Sequence, residues 1–104
     1  MGPLTEATIR SKAGNPGTAV LVSMNGTSAA TTAALTDGQL YVITCPQPYH
    51  YVSAATPTAT TNSSWWPANV PNYVTGAGVK LAFIKPSGGT DATVYITPLY
   101  GYRV

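Results

Sequence analysis

The sequence predicts an all-β protein with a single domain of about eight short antiparallel strands, arranged as a sandwich or a barrel. Nine prolines and ten glycines are spread along the 104 residues and interrupt nearly every window in which a helix would form. Between them, β-branched and aromatic runs recur at intervals of roughly 8–12 residues. A chain of this length forms one domain, and no long linker divides it, so residues 1–104 are expected to fold as a unit.

The clearest strand follows the turn at Asp37-Gly38. Alternation places Leu40 and Val42 on one face of this strand. The other face carries Tyr41, Ile43 and Cys45. The same pattern of alternating runs between turns defines the other elements. The predicted strands cover residues 8–12, 18–23, 27–35, 39–45, 49–53, 72–74, 79–85 and 92–98.

The last third of the chain predicts a hairpin. Two alternating strands, 79–85 and 92–98, flank a loop that contains a pair of glycines. In the second strand Val94 and Ile96 face one side of the sheet. The segment 56–64 is polar, offers no apolar anchor and predicts an open loop.

Charged residues are scarce, since they make up 8% of the chain against about 25% in a typical soluble domain. A free monomer keeps itself soluble with charges spread over its surface, so this composition predicts a protein largely covered by neighbours. The five Lys and Arg form no cluster, which argues against a nucleic-acid partner. No apolar run approaches the ~20 residues that span a bilayer, so no membrane partner is expected. The first residues lack the pattern of a signal peptide, which predicts assembly in a cytoplasm.

Residues that could carry catalysis or bind metal are few. His50 is the only histidine and Cys45 the only cysteine, and neither has neighbours at the spacing of metal ligands. Asp37 and Asp91 both lie in turns, where an aspartate side chain caps its own backbone. The sequence therefore predicts a non-enzymatic protein without cofactor or metal.

Aromatic residues are the candidates for binding. Seven Tyr and two Trp accompany one Phe, and Tyr and Trp suit half-buried and interfacial positions. Trp65 and Trp66 are neighbours on a strand, so one would fill the core while the other points outward, unless both close one end of the sandwich. The candidate interface residues are Trp65, Trp66, Tyr100, Tyr102, Leu4, Ile9, Arg10 and Arg103.

In order along the chain come QLYVITC at 39–45, YVS at 51–53, ATPTAT at 55–60, WPANVP at 66–71, VKLAFI at 79–84 and ATVYITPL at 92–99. This series, which spans roughly residues 36 to 99, resembles the small jelly-roll cement, or decoration, proteins of tailed double-stranded DNA bacteriophages. The resemblance implies a jelly-roll sandwich on the outer surface of the virion head, assembled in the host cytoplasm. Its partner would be the major capsid protein, whose adjacent subunits it would clamp against internal DNA pressure.

The resemblance also implies many copies on the capsid, as dimers or trimers, with extended termini lying on neighbours. Residues 1–10 and 99–104 correspond to such arms. No family residue set is defined well enough to transfer to individual positions of this chain.

The alternative function is a carbohydrate- or receptor-binding module of a phage tail or fibre. Such a module would present an exposed aromatic platform, formed by Trp65 or Trp66 together with Tyr49 or Tyr51.

Overall fold

The structure is a computed structural model that describes residues 16–100. Within this range there is no helix, and eight strands form two antiparallel sheets of four strands each. In chain order the strands are β1 (Val20–Met24), β2 (Ala29–Ala30), β3 (Leu40–Thr44), β4 (Tyr49–Ala54), β5 (Ser64–Trp66), β6 (Asn72–Thr75), β7 (Lys80–Ile84) and β8 (Ala92–Pro98).

The two sheets have the strand order of a jelly roll. Sheet I runs β1-β8-β3-β6 and sheet II runs β2-β7-β4-β5. The pairs are nested along the chain: β4 pairs with β5, β3 with β6, β2 with β7 and β1 with β8, all antiparallel. Nested pairing of this kind is one long hairpin rolled into two sheets, which is the jelly-roll topology. The predicted all-β sandwich is confirmed.

The core lies between the sheets and follows the predicted alternation. Tyr41, Ile43 and Cys45 of β3 and the loop after it are all buried in one hydrophobic cluster. On β8, Val94 and Ile96 are fully buried in the same cluster. Period-two alternation therefore identified the correct core-facing residues on both strands.

The predicted hairpin of the last third is wrong. β7 belongs to sheet II and β8 to sheet I, so the connection between them crosses from one sheet to the other. Lys85 and Asp91 lie at the two ends of this connection, and the Lys85 ammonium donates to the Asp91 carboxylate over 2.7 Å. Alternation identifies a strand but does not identify its partner, and the partners of β7 and β8 come from distant parts of the chain.

The predicted strand over 27–35 is reduced to β2, which holds only Ala29 and Ala30. The next residue, Thr31, is buried, and its hydroxyl donates to the carbonyl oxygen of Ala33 at 2.9 Å. Local side-chain hydrogen bonds of this kind compete with the ladder between strands.

The polar segment 56–64 has an apolar anchor, contrary to the prediction. Ala59 is 2% exposed, and its N–H donates to the Ser28 hydroxyl at 2.8 Å. The segment leaves β4 and reaches Ser28 beside β2, so it crosses the outer face of β7, which lies between these strands. This path accounts for the full burial of Ala82, which lies on the face of β7 opposite Leu81 and Phe83.

Gly76 lies at the close approach of two connections. Its N–H donates to the Gln39 carbonyl, and its own carbonyl accepts from the Gly38 N–H, both at 2.8 Å. A Cβ at this position would collide with the Thr36 carbonyl oxygen and the Tyr41 ring. The Thr36 oxygen belongs to the backbone, so it cannot rotate away.

Replacing Gly76 with alanine is expected to lower the free energy of unfolding by about 3 kcal/mol, because the added methyl group overpacks a rigid site. Urea unfolding followed by tryptophan fluorescence measures this loss. Gly26→Ala is the matched control, since its Cβ would meet only the flexible Lys85 side chain at 3.6 Å. Equal losses in the two variants would contradict the steric explanation.

Candidate functional site

Sheet I contains no charged residue. The charged residues between 16 and 100 are Asp37, Lys80, Lys85 and Asp91. Lys80 belongs to β7 in sheet II, and the other three lie in connections. Within residues 16–100, this side of the sandwich therefore carries no fixed charge.

The outer face of sheet I is uncharged and partly exposed, and its apolar side chains lie among serine and threonine. Tyr95 of β8 lies directly opposite Leu21 of β1 on one side and Thr44 of β3 on the other. Leu21 is 60% exposed and Tyr95 is 43% exposed. Farther along the sheet, Val42 lies opposite Tyr73 of β6. Side chains from all four strands thus form one continuous surface.

A second hydrophobic cluster lies on this outer face, separate from the core. Leu40 and Leu99 are buried against each other, and Val42 and Tyr73 pack on them. The Leu99 N–H donates to the Leu40 carbonyl at 3.0 Å, which ties the end of the described chain to β3. We call this surface the apolar face; it consists of Leu21, Leu40, Val42, Tyr73, Tyr95 and Leu99.

An open, shallow cleft of 380 Å³ lies at one end of the apolar face, lined by Tyr95, Thr44, Cys45, Pro46 and Asn69. Asn69 has a positive φ of 61°, and its N–H donates to the Cys45 carbonyl at 2.9 Å. Asparagine tolerates this left-handed conformation better than most residues. The cleft extends the uncharged surface, since none of its lining residues is Asp, Glu, Lys or Arg.

Two ionisable side chains of the core, those of Cys45 and Tyr49, have shifted pKa values. Cys45 is 3% exposed and Tyr49 is fully buried. Burial raises the pKa of the Cys45 thiol and also that of the Tyr49 phenol, although a hydrogen bond from the Asn72 amide to the Tyr49 oxygen opposes the second shift. A protonated, inaccessible thiol is a poor nucleophile, so Cys45 acts as a core residue.

The free energy of unfolding is expected to fall as the pH rises above about 9. The pKa of Cys45 lies above its ordinary 9.0 and that of Tyr49 above its ordinary 10.0. The unfolded chain therefore releases these protons first, and alkaline pH favours it. Urea midpoints between about pH 7 and pH 11 measure the effect. Tyr49→Phe should remove the part of the stability loss that begins near pH 10. An unchanged dependence of the urea midpoint on pH in this variant would contradict the attribution of that part to Tyr49.

The two tryptophans face opposite sides of β5. Trp65 is 54% exposed. Trp66 packs against the core, and its indole Nε1–H donates to the Val70 carbonyl at 2.8 Å. The structure therefore matches the prediction that one ring fills the core while the other points outward.

The predicted platform that pairs a tryptophan with Tyr49 or Tyr51 is wrong. Tyr49 is fully buried, and Tyr51 packs against the core with its ring stacked on Phe83 at a centroid distance of 6.5 Å. Both tyrosines lie on the inner face of β4. On the outer face, the residue opposite Trp65 is His50.

Tyr100 is 53% exposed, and its ring lies where a Cβ on Gly17 would be. It also lines a cleft of 330 Å³ at the end of the sandwich, beside Tyr41 and Leu35. Of the predicted arm 99–104, only Leu99 and Tyr100 are within the described range. The predicted arm 1–10 and the candidates Leu4, Ile9, Arg10, Tyr102 and Arg103 lie outside the described residues.

None of the residues of the apolar face was among the predicted interface residues. The strongest signal for the apolar face was the strand at 39–45, where both faces are apolar: Leu40 and Val42 on one side, Tyr41 and Ile43 on the other. A strand that is apolar on both faces in a two-layer sandwich has one face in the core and one face outside it. That pattern indicated an apolar outer surface before the structure was known.

Residues 16–100 contain no cluster of three or more His, Cys, Asp or Glu side chains that could hold a metal ion. This part of the chain also has no helix long and apolar enough to cross a membrane. Comparison with protein-family models, with curated protein sequences and with solved structures found no match for the chain.

Proposed function

We propose that this protein is a non-enzymatic virion component, a cement protein that binds the outside of a tailed-phage head and stabilises contacts between major capsid subunits. The observation that carries the proposal is the apolar face of sheet I, where exposed Leu21 and Tyr95 lie on a sheet without charged residues. Large exposed apolar patches on a soluble protein mark interaction surfaces. The jelly-roll fold itself occurs in viral capsid proteins and in lectins.

The composition of the apolar face suits permanent attachment. Covering it removes apolar area from water, which contributes roughly 25 cal/mol per Å². Sheet I has no ionised side chain that would lose its hydration on binding. The desolvation penalty of charged groups is therefore absent on this protein's side of the contact. A sheet of four strands also offers a broad surface rather than a narrow pocket, as contact with a protein shell requires.

The placement of charge supports an orientation. Lys80 lies in sheet II, and Lys85 and Asp91 lie at the connection that leaves it. If sheet I contacts the capsid, sheet II and the segment 56–64 face solvent. These three charged residues then lie where solubility needs them. We further propose that the protein is a dimer or trimer on the capsid surface, at the outer face of the virion.

A carbohydrate- or receptor-binding module is the second candidate function. The observation that favours it is the exposed ring of Trp65 on sheet II. The two functions use opposite sheets, so one does not exclude the other.

Capsid binding tests the main proposal. The chain is expressed alone, its mass is measured by light scattering, and it is mixed with undecorated capsids of its own phage. Co-sedimentation together with a raised melting temperature of the capsid is the expected result. A well-behaved protein that stays in the supernatant and leaves capsid melting unchanged would overturn the proposal.

A further inference from the structure

We propose that Trp65 and His50 form an open platform on the outer face of sheet II that binds neutral, pyranose-based oligosaccharides. The inference concerns a different surface from the apolar face and does not require capsid binding. In the register of sheet II, His50 lies directly opposite Trp65 on one side and Ile84 on the other. Side chains in such positions have Cβ atoms about 4.5–5.5 Å apart, so the three form one row.

The Trp65 ring is exposed but its backbone is held in place. β5 pairs with β4 through three residue pairs, and the next residue, Trp66, is anchored in the core and by its hydrogen bond to Val70. The 54% exposed indole is therefore presented by a fixed strand. A ligand that stacks on it does not have to order a loop first, which lowers the entropic cost of binding.

The His50 imidazole is oriented by the loop before β5. Its Nδ1 lies 2.8 Å from the carbonyl oxygen of Ser63. A carbonyl only accepts, so Nδ1 carries the hydrogen in the neutral ring and Nε2 is left as an acceptor. No hydrogen bond among residues 16–100 uses Nε2. Ser63 is fixed in turn, because its N–H donates to the Thr60 carbonyl at 2.9 Å and its hydroxyl accepts from the Thr60 N–H at 3.0 Å.

This pair of groups selects a class of ligand. An indole face attracts an apolar, slightly positive surface such as the C–H face of a pyranose ring. The Nε2 acceptor beside it suits a hydroxyl donor. The row of Trp65, His50 and Ile84 carries no fixed charge, and the adjacent Lys85 is engaged by Asp91. A neutral sugar meets these requirements, whereas a phosphate group placed at this row would meet no lysine or arginine of the row itself.

The shape of the platform sets the expected affinity. Trp65 is 54% exposed, so a ligand stacked on its ring lies on an open surface. Open stacking buries little of a sugar, and a dissociation constant on the order of a millimolar is expected for one site. Many copies on one particle would raise the effective affinity for a polysaccharide surface by avidity.

The test uses the full chain labelled with ¹⁵N and follows its two indole N–H signals by NMR. Neutral hexasaccharides of glucose, N-acetylglucosamine, galactose and mannose are added up to about 20 mM, well above a millimolar dissociation constant. We expect at least one of them to shift the Trp65 indole signal saturably. The hydrogen-bonded Trp66 signal should stay in place and serve as an internal control for the fold.

Variants assign the site, and their binding is followed on the backbone amide signals of β4 and β5, because Trp65→Ala has no Trp65 indole signal. Trp65→Ala should weaken binding about tenfold or more, and His50→Gln by several-fold. Tyr95→Ala, on the opposite sheet, should leave binding unchanged. The proposal is overturned if no sugar gives a saturable shift, if Trp65→Ala binds as well as the native chain, or if Tyr95→Ala abolishes binding. Each of these outcomes leaves the capsid-binding experiment unaffected, so the two proposals fail separately.

Discussion

Replacing Phe83 with alanine is expected to lower the free energy of unfolding by about 4 kcal/mol. Phe83 is fully buried on β7, and its ring lies 5.7 Å from that of Tyr49 in an edge-on arrangement and 6.5 Å from that of Tyr51. Truncation removes the apolar contact area and leaves a cavity that two tyrosines anchored on β4 cannot fill. The aromatic pair energies, about 0.5–1.5 kcal/mol each, are lost in addition to the area term.

Urea unfolding and thermal melting both measure this effect. For a domain of this size each kcal/mol lowers the melting temperature by roughly 4–8 °C, so a drop of about 15–30 °C is expected. Leu21→Ala is the matched control, because Leu21 is a large apolar residue that is 60% exposed. Its loss should stay within about 0.5 kcal/mol. A Phe83→Ala variant no less stable than Leu21→Ala would mean that the rings of Phe83, Tyr49 and Tyr51 on the inner face of sheet II do not stabilise the core.

The alternation along a strand was predictable because it depends only on the chain itself. In β8, Val94 and Ile96 are fully buried and Tyr95 between them is 43% exposed, as period-two alternation requires. The strand pairing was not predictable in the same way. A short loop between two strands can return to the same sheet or cross to the facing sheet, and the residues of 79–98 fit either path.

Long-range pairing decides between these paths. β8 is paired by β1, far earlier in the chain, and β7 by β2 and β4. No local residue pattern records such a choice. Ala59 illustrates the same limit, because it is buried where its N–H meets the Ser28 hydroxyl, 31 residues earlier in the chain. Only the folded sheet places those two residues together.

The candidate site on sheet II was likewise predictable only in part. Alternation predicted that one of the two tryptophans points outward if the other packs in the core, and the structure shows that Trp65 is the exposed one. That His50 lies opposite Trp65 could not be predicted, because the register of β4 and β5 sets which residues lie opposite each other. The sequence analysis paired the tryptophans with Tyr49 and Tyr51, which lie on the other face of β4. A shift of one position on a strand changes the face, and with it the chemistry of the site.

The second large effect is expected on the apolar face, where Leu21→Lys combined with Tyr95→Glu should weaken capsid binding by about a hundredfold or more. Burying two ionised side chains against a protein shell costs several kcal/mol in lost hydration. Leu21 and Tyr95 lie directly opposite each other, so charges of opposite sign attract across the strands and the fold is preserved. Co-sedimentation with undecorated capsids measures the loss, and the urea midpoint confirms that the variant is folded.

The control places the same two charges on the opposite side of the sandwich. Thr58→Lys with Thr61→Glu changes two exposed residues in the segment that crosses sheet II. Capsid binding of this variant should equal that of the native chain, since the proposed orientation leaves this segment in solvent. If the control variant loses binding and the Leu21/Tyr95 variant keeps it, the docking surface is sheet II. The apolar face would then need another occupant, while the cement function itself would stand on the binding of the native chain.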